Sequence, residues 1–162
     1  MTAKDVALQM EKKYALFGLF FAFHNRLQAV GDSFYEEITC KQFFLLACMN
    51  LYPREAPTAV ELAAVMGCSR QSVKEILFGL EKKGYVRLQA DDRDRRKRRI
   101  YLTDKARAMA KQYRERETVF MDRLYGGVEE ADIAQVYEVL SRMENNLKDM
   151  RGGIADENHC DI

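Results

Sequence analysis

The run Asp91-Asp92-Arg93-Asp94-Arg95-Arg96-Lys97-Arg98-Arg99 holds six cations and three carboxylates in nine consecutive residues. Guanidinium groups at this density bind phosphate or carboxylate oxygens through forked, charge-assisted hydrogen bonds. The interleaved aspartates argue for more than a solvated charge run. Asp94 is spaced to hold Arg96 in one rotamer, lowering the entropy cost of offering it to a narrow groove. A second set of donors precedes it: Ser69, Arg70, Gln71, Ser72 and Lys74, at the expected first turns of a helix. The positive end of the helix macrodipole there favours anions. Both sets bind rather than break bonds, and their natural target is duplex DNA. One element would enter the major groove while Arg95, Arg96, Lys97 and Arg98 reach the phosphates and the minor groove.

Groups able to do covalent or metal chemistry are few. Cysteines stand at positions 40, 48, 68 and 160, with no Cys-x-x-Cys pair. Cys40 falls in a first helical turn beside Lys41, where a thiolate is favoured, and Cys68 at the turn into the donor-rich helix. Both are candidate oxidant sensors, against the plainer role of small buried apolar residues. A thiol enzyme built on Cys40 and His24 lacks any framing motif, so no enzyme activity is expected. His159 and Cys160 with Asp156, Glu157 and Asp161 read as an acidic tail rather than a metal site, and neither metal nor cofactor is expected.

Of the 162 residues, 48% are apolar and 31% charged, which suits a soluble globular chain. The net charge of +1 conceals a polarised molecule: Ser69 to Arg99 holds 11 basic and 5 acidic residues, the remainder 15 and 20. Local basicity is what a polyanion meets. The apolar run Ala15 to Phe23 is too short to cross a bilayer. With no signal peptide and no disulfide framework, a reducing cytoplasm is the expected compartment.

Helices must position these donors. Leu16, Phe20, Phe23, Leu27 and Val30 share one face of a first helix from about Thr2 to Val30, ended by Gly31-Asp32-Ser33. Phe17, Leu19 and Phe21 make it apolar on other sides too, a surface that burial within one small domain or, better, a partner subunit would cover. Thr39-Cys40-Lys41-Gln42 and Thr58-Ala59-Val60-Glu61 are capping boxes that start two further helices. Gly67 suits a left-handed stop and Ser69 caps the next helix, which together spell a helix-turn-helix. In that helix Val73, Ile76, Leu77 and Leu80 face inward, leaving Gln71, Lys74, Glu75, Phe78 and Lys82 outside. Tyr85 to Gln89 and Arg98 to Leu102 read as strands of a hairpin. A helix from Thr103-Asp104 carries Met109, Tyr113, Phe120 and Leu124. In the last, Ile133, Val136, Leu140, Met143, Leu147 and Met150 form a heptad seam, more often core or interface than cofactor box.

This order of elements resembles the MarR family (multiple-antibiotic-resistance regulators). The sharpest likeness is Asp94-Arg95-Arg96 followed by Leu102-Thr103, similar to that family's wing running into its fifth helix. Leu80-Glu81-Lys82-Lys83-Gly84-Tyr85-Val86 and Glu61-Leu62-Ala63 are similar to its recognition-helix end and helix-turn-helix entry. The resemblance implies a mainly α fold with a small β-wing, a winged helix-turn-helix plus a helical dimerisation region. It implies dimerisation through residues 1–38 and 104–150, DNA binding by 39–103, and a polar tail at 151–162, expected to be disordered. It also implies a homodimeric repressor at palindromic operators, relieved by a small aromatic ligand or an oxidant. Arg96 would then be the minor-groove arginine, with Asp94 orienting it. Glu75, Phe78 and Leu88 depart from the family's usual polar or basic residues. Tyr14, Phe17, Phe21, His24, Phe43 and Phe44 are candidates to line an effector crevice, each also readable as simple core. The competing class is a winged-helix module whose cationic tip meets an acidic protein.

Overall fold

The computed structural model describes residues 11–157, with side chains through residue 150. The elements are α1 (Lys12–Phe34), α2 (Cys40–Cys48) with a 3-10 turn at Met49–Leu51, α3 (Ala59–Met66), α4 (Arg70–Lys82), β1 (Val86–Ala90), β2 (Arg98–Leu102), α5 (Asp104–Leu124) and α6 (Glu130–Glu157). The expected class, mainly α with a small β-wing, is the observed one. The chain forms two compact units, one ending at Gln112 and the other beginning at Tyr113.

Local chemistry sets the element boundaries in the first unit. Both capping boxes are formed. Thr39 accepts the Gln42 amide N–H at 3.2 Å while Gln42 accepts that of Thr39 at 3.1 Å. Thr58 and Glu61 do the same at 3.3 and 2.7 Å. Gly67 ends α3 at φ +65°, a conformation that penalises any Cβ. Ser69 accepts the Ser72 N–H at 3.0 Å and so opens α4. Val73, Leu77 and Leu80 are buried on the inner face of α4, which packs on α2 and α3, where Leu45, Leu46 and Leu62 are buried too. Each such side chain contributes about 1.5–3 kcal/mol by leaving water.

Two sequence expectations need correcting. Gly31 does not end the first helix, which continues to Phe34. Its lack of a side chain serves packing: a Cβ there would lie 2.5 Å from Cys40 Sγ, so α2 crosses α1 at this point. Asp32 seals the crossing by accepting the Cys40 N–H at 2.7 Å. The last helix likewise runs through Arg151-Gly152-Gly153 to Glu157, where a tail was expected to be free. The expected start at Thr2, and His159, Cys160 and Asp161, lie outside the described residues.

β1 and β2 pair antiparallel from Val86↔Leu102 to Ala90↔Arg98. The hairpin is not isolated. Thr58 bridges to Arg99, and Ile100 donates to the Pro57 carbonyl at 2.9 Å, tying β2 to the start of α3. At the far end of α4, Lys83 donates to the Glu37 carbonyl at 2.6 Å and to Gln42 at 3.2 Å. Tyr85 donates to the Glu37 carboxylate, and Lys105 lies 4.4 Å above the Tyr85 ring. The helix-turn-helix and wing are therefore held at both ends.

In the second unit the seam residues Val136, Leu140, Leu147 and Met150 are exposed on the single chain. So are Leu16, Phe17, Leu19, Phe21 and Phe23 on α1 in the first unit. Clusters of large exposed apolar side chains of this kind mark surfaces that something else covers.

Candidate nucleic-acid interface

The wing tip is built around Asp91. Its Oδ1 accepts the N–H groups of Arg93 at 2.8 Å and Asp94 at 2.9 Å, an Asx turn that fixes the loop. The Arg99 guanidinium completes the anchor: Nε donates to Asp91 Oδ2 at 2.5 Å, Nη1 to the Ala56 carbonyl at 2.9 Å, and Nη2 to Glu55 Oε1 at 2.7 Å. Glu61, the capping-box carboxylate of α3, lies 3.6 Å from Arg99 Nη1. Arg99 is 13% exposed and saturated with acceptors. Hydrogen bonds from Arg99 and then from the Asp94 and Arg93 amides hold the Asp91 carboxyl down at about 2.

One cation of the run is thus structural, and the sequence alone does not single it out among six. Arg93, Arg95, Arg96, Lys97 and Arg98 are exposed. Arg98 lends Nη2 to the Leu88 carbonyl at 3.3 Å. Asp94 meets Arg96 differently from the expectation: its Oδ1 accepts the backbone N–H of Arg96 at 3.1 Å. It therefore fixes where the Arg96 main chain sits. Among the described residues no hydrogen bond or ion pair engages the Arg96 guanidinium.

On α4, Arg70, Gln71 and Lys74 are exposed, and Ser72 is half-buried. The Ser69 and Ser72 hydroxyls lie 2.9 Å apart and bond to each other, so their first duty is the helix cap. Gln71 Nε2 donates to Glu75 Oε1 at 3.1 Å one turn on. Between α4 and the wing lies a cleft of about 760 Å³ lined by Val60, Lys74, Leu77, Phe78, Leu88 and Arg96, among others. Cations, the carboxylates of Glu61 and Glu81, and apolar carbon share this face.

The candidate effector residues are dispersed over α1 and α2. Tyr14, Phe17, Phe21 and Phe44 are each about half exposed or more, and His24 is exposed. Phe17 and Phe21 meet edge to face at 5.2 Å, and Phe43 stacks on Tyr35 at 4.5 Å. On the single chain Tyr14, Phe17, Phe21, His24 and Phe44 are not core, whereas Phe43 is half-buried. Cys40 is also corrected: burial, and then the Asp32 charge, raise its thiol above the ordinary value, opposite to the expected thiolate. The chemistry of Lys41 beside it does not offset that desolvation. Among the described residues no group of three His, Cys, Asp or Glu could hold a metal. No helix among them is long and apolar enough to cross a membrane.

A short helix, a tight glycine turn, a donor-edged second helix and a cationic hairpin define a winged helix-turn-helix. Residues 38–97 match the model of the MarR family. Solved MarR-family structures share its fold. A MarR protein from Peptoclostridium difficile superposes with a TM-score of 0.75 at 19% identity, covering 86% of this chain and 91% of that one. The Staphylococcus aureus MepR–DNA complex gives 0.69 at 20% identity over 80% and 94%. Bordetella bronchiseptica BpsR, solved to explain regulation of its DNA binding by 6-hydroxynicotinic acid, gives 0.69 at 19% over 78% and 91%.

Proposed function

We propose that this chain is a homodimeric, sequence-specific DNA-binding regulator of transcription, acting where chromosomal DNA is, in the cytoplasm. The observation that carries this is the division of labour in the wing. Asp91 and Arg99 rigidify the loop while Arg93, Arg95, Arg96 and Lys97 stay exposed beside the donor-rich start of α4. Residues 39–103 would form the DNA-binding part. Ser69, Arg70, Gln71, Ser72 and Lys74 would face the major groove, and Arg96, seated through Asp94, the minor groove. The DNA complex solved for MepR supports this reading.

Segments 1–38 and 104–150 would join two subunits, because a second copy covers the apolar surfaces of α1 and α6. Two reading heads then meet a palindromic operator at half-sites about 34 Å apart, one turn of duplex. Occupying an operator that overlaps a promoter represses it. A small aromatic acid binding among Tyr14, Phe17, Phe21, His24, Phe43 and Phe44 would relieve that repression. The ligand named for BpsR supports this class of effector.

Fluorescence anisotropy against duplex from upstream of the protein's own gene tests the proposal. Binding that weakens in Arg70→Ala and Arg96→Ala variants is expected. Absence of binding to any duplex in dilute salt would favour the acidic-protein partner instead.

A further inference from the structure

The outer face of α4 carries two residues unusual for a surface that meets a polyanion. Phe78 is 71% exposed, and Glu75 is exposed one turn after Gln71. At about 100° per residue, Gln71, Lys74, Glu75 and Phe78 lie along one stripe, with Gln71 and Phe78 two turns and about 10 Å apart. An exposed phenylalanine is not held there by the fold, since Leu77 and Leu80 already fill the inner face. A carboxylate on such a face opposes phosphate and weakens binding to duplex in general. Both are understandable if they read bases.

Resting on the DNA-binding reading above, we infer that Phe78 and Glu75 determine operator specificity, Phe78 by packing on the C5-methyl of a thymine and Glu75 by excluding guanine beside it. Thymine is the one base that presents a methyl group in the major groove, and aromatic carbon is a natural partner for it. Glu75 is pre-positioned. The Gln71 amide takes its Oε1 at 3.1 Å, which leaves Oε2 as a fixed acceptor. An acceptor accepts from the amino group of cytosine or adenine and is repelled by the O6 and N7 of guanine. Lys74 lies one turn before Phe78 on the same face and supplies the phosphate contact that offsets the Glu75 charge. The stripe thus selects a base with its amino group in the major groove, cytosine or adenine, next to a thymine, unlike an arginine, which would select guanine.

The test begins with duplexes selected from a random pool by the full-length protein. In the preferred duplex each thymidine is replaced singly by deoxyuridine, which removes only the methyl group. One symmetry-related thymidine per half-site should lose about fourfold in affinity, the worth of taking one methyl out of water. That sensitivity should vanish in Phe78→Ala and persist in part in Phe78→Leu. Repeating the selection with Glu75→Gln should admit guanine at the neighbouring position. Equal melting temperatures for the variants would show that folding is untouched. The inference is overturned if no thymidine is sensitive, if sensitivity survives in Phe78→Ala, or if Glu75→Gln leaves guanine excluded. Should the wild-type protein select no duplex at all, the DNA-binding reading fails and this inference falls with it.

Discussion

Arg99 Nε donates to Asp91 Oδ2 at 2.5 Å, pinning β2 to the residue that follows β1 at the root of the cationic loop. The contact holds Asp91 at about 2, against 3.8 for an ordinary aspartate. A depressed carboxyl stabilises the fold above its unfolded value and loses that contribution as pH falls toward its folded value. Wild type should therefore be more stable than Asp91→Asn near neutrality, and the gap should close between about pH 4 and pH 2. Thermal melts of both proteins across that range measure it. A gap independent of pH would contradict the role given to the ion pair.

Thr58 caps α3, and its partner Glu61 also faces Arg99 at the root of the wing. Thr58→Ala should cost about 1 kcal/mol. Urea unfolding is the measurement, and an unchanged midpoint would show that the box contributes nothing.

Two glycines of α1 should respond with opposite signs. Gly31→Ala drives a methyl into Cys40 and should destabilise by about 1–3 kcal/mol. Gly18 has nothing within 4 Å, so Gly18→Ala should stabilise by about 0.5–1 kcal/mol through the helix propensity alone. Matching signs in denaturant titrations would refute the packing assigned to Gly31.

That pair also marks where sequence reading reaches its limit. The capping boxes at Thr39 and Thr58, the Gly67 stop and the Ser69 cap are local signals, each settled within four residues, and all four are present. Gly31 carries the same letter as a helix breaker, yet its role is set by Cys40 across a helix crossing. The special status of Arg99 is equally invisible, because Glu55 and Ala56 lie over forty positions away. The fold was legible as an order of elements. Within the charged run, a string of letters does not distinguish the anchoring cation from those left exposed.

The Cys40 thiol is raised by burial and by Asp32, so it should alkylate slowly near neutral pH. Its reaction with iodoacetamide should accelerate only above the ordinary thiol value of 9.0. Asp32→Asn should shift that rise to lower pH. Mass-spectrometric labelling rates across pH decide this, and rapid labelling at pH 7 would restore Cys40 as an oxidant sensor.

In the proposed complex, exposed wing cations on a loop held by an internal ion pair would neutralise DNA phosphates. The slope of log affinity against log salt for a selected duplex measures this directly. Lys97→Ala, which removes an exposed wing cation, should weaken binding and make the slope shallower by about one unit, one phosphate contact fewer. A wild-type affinity indifferent to salt, or an unchanged slope in the variant, would contradict the account.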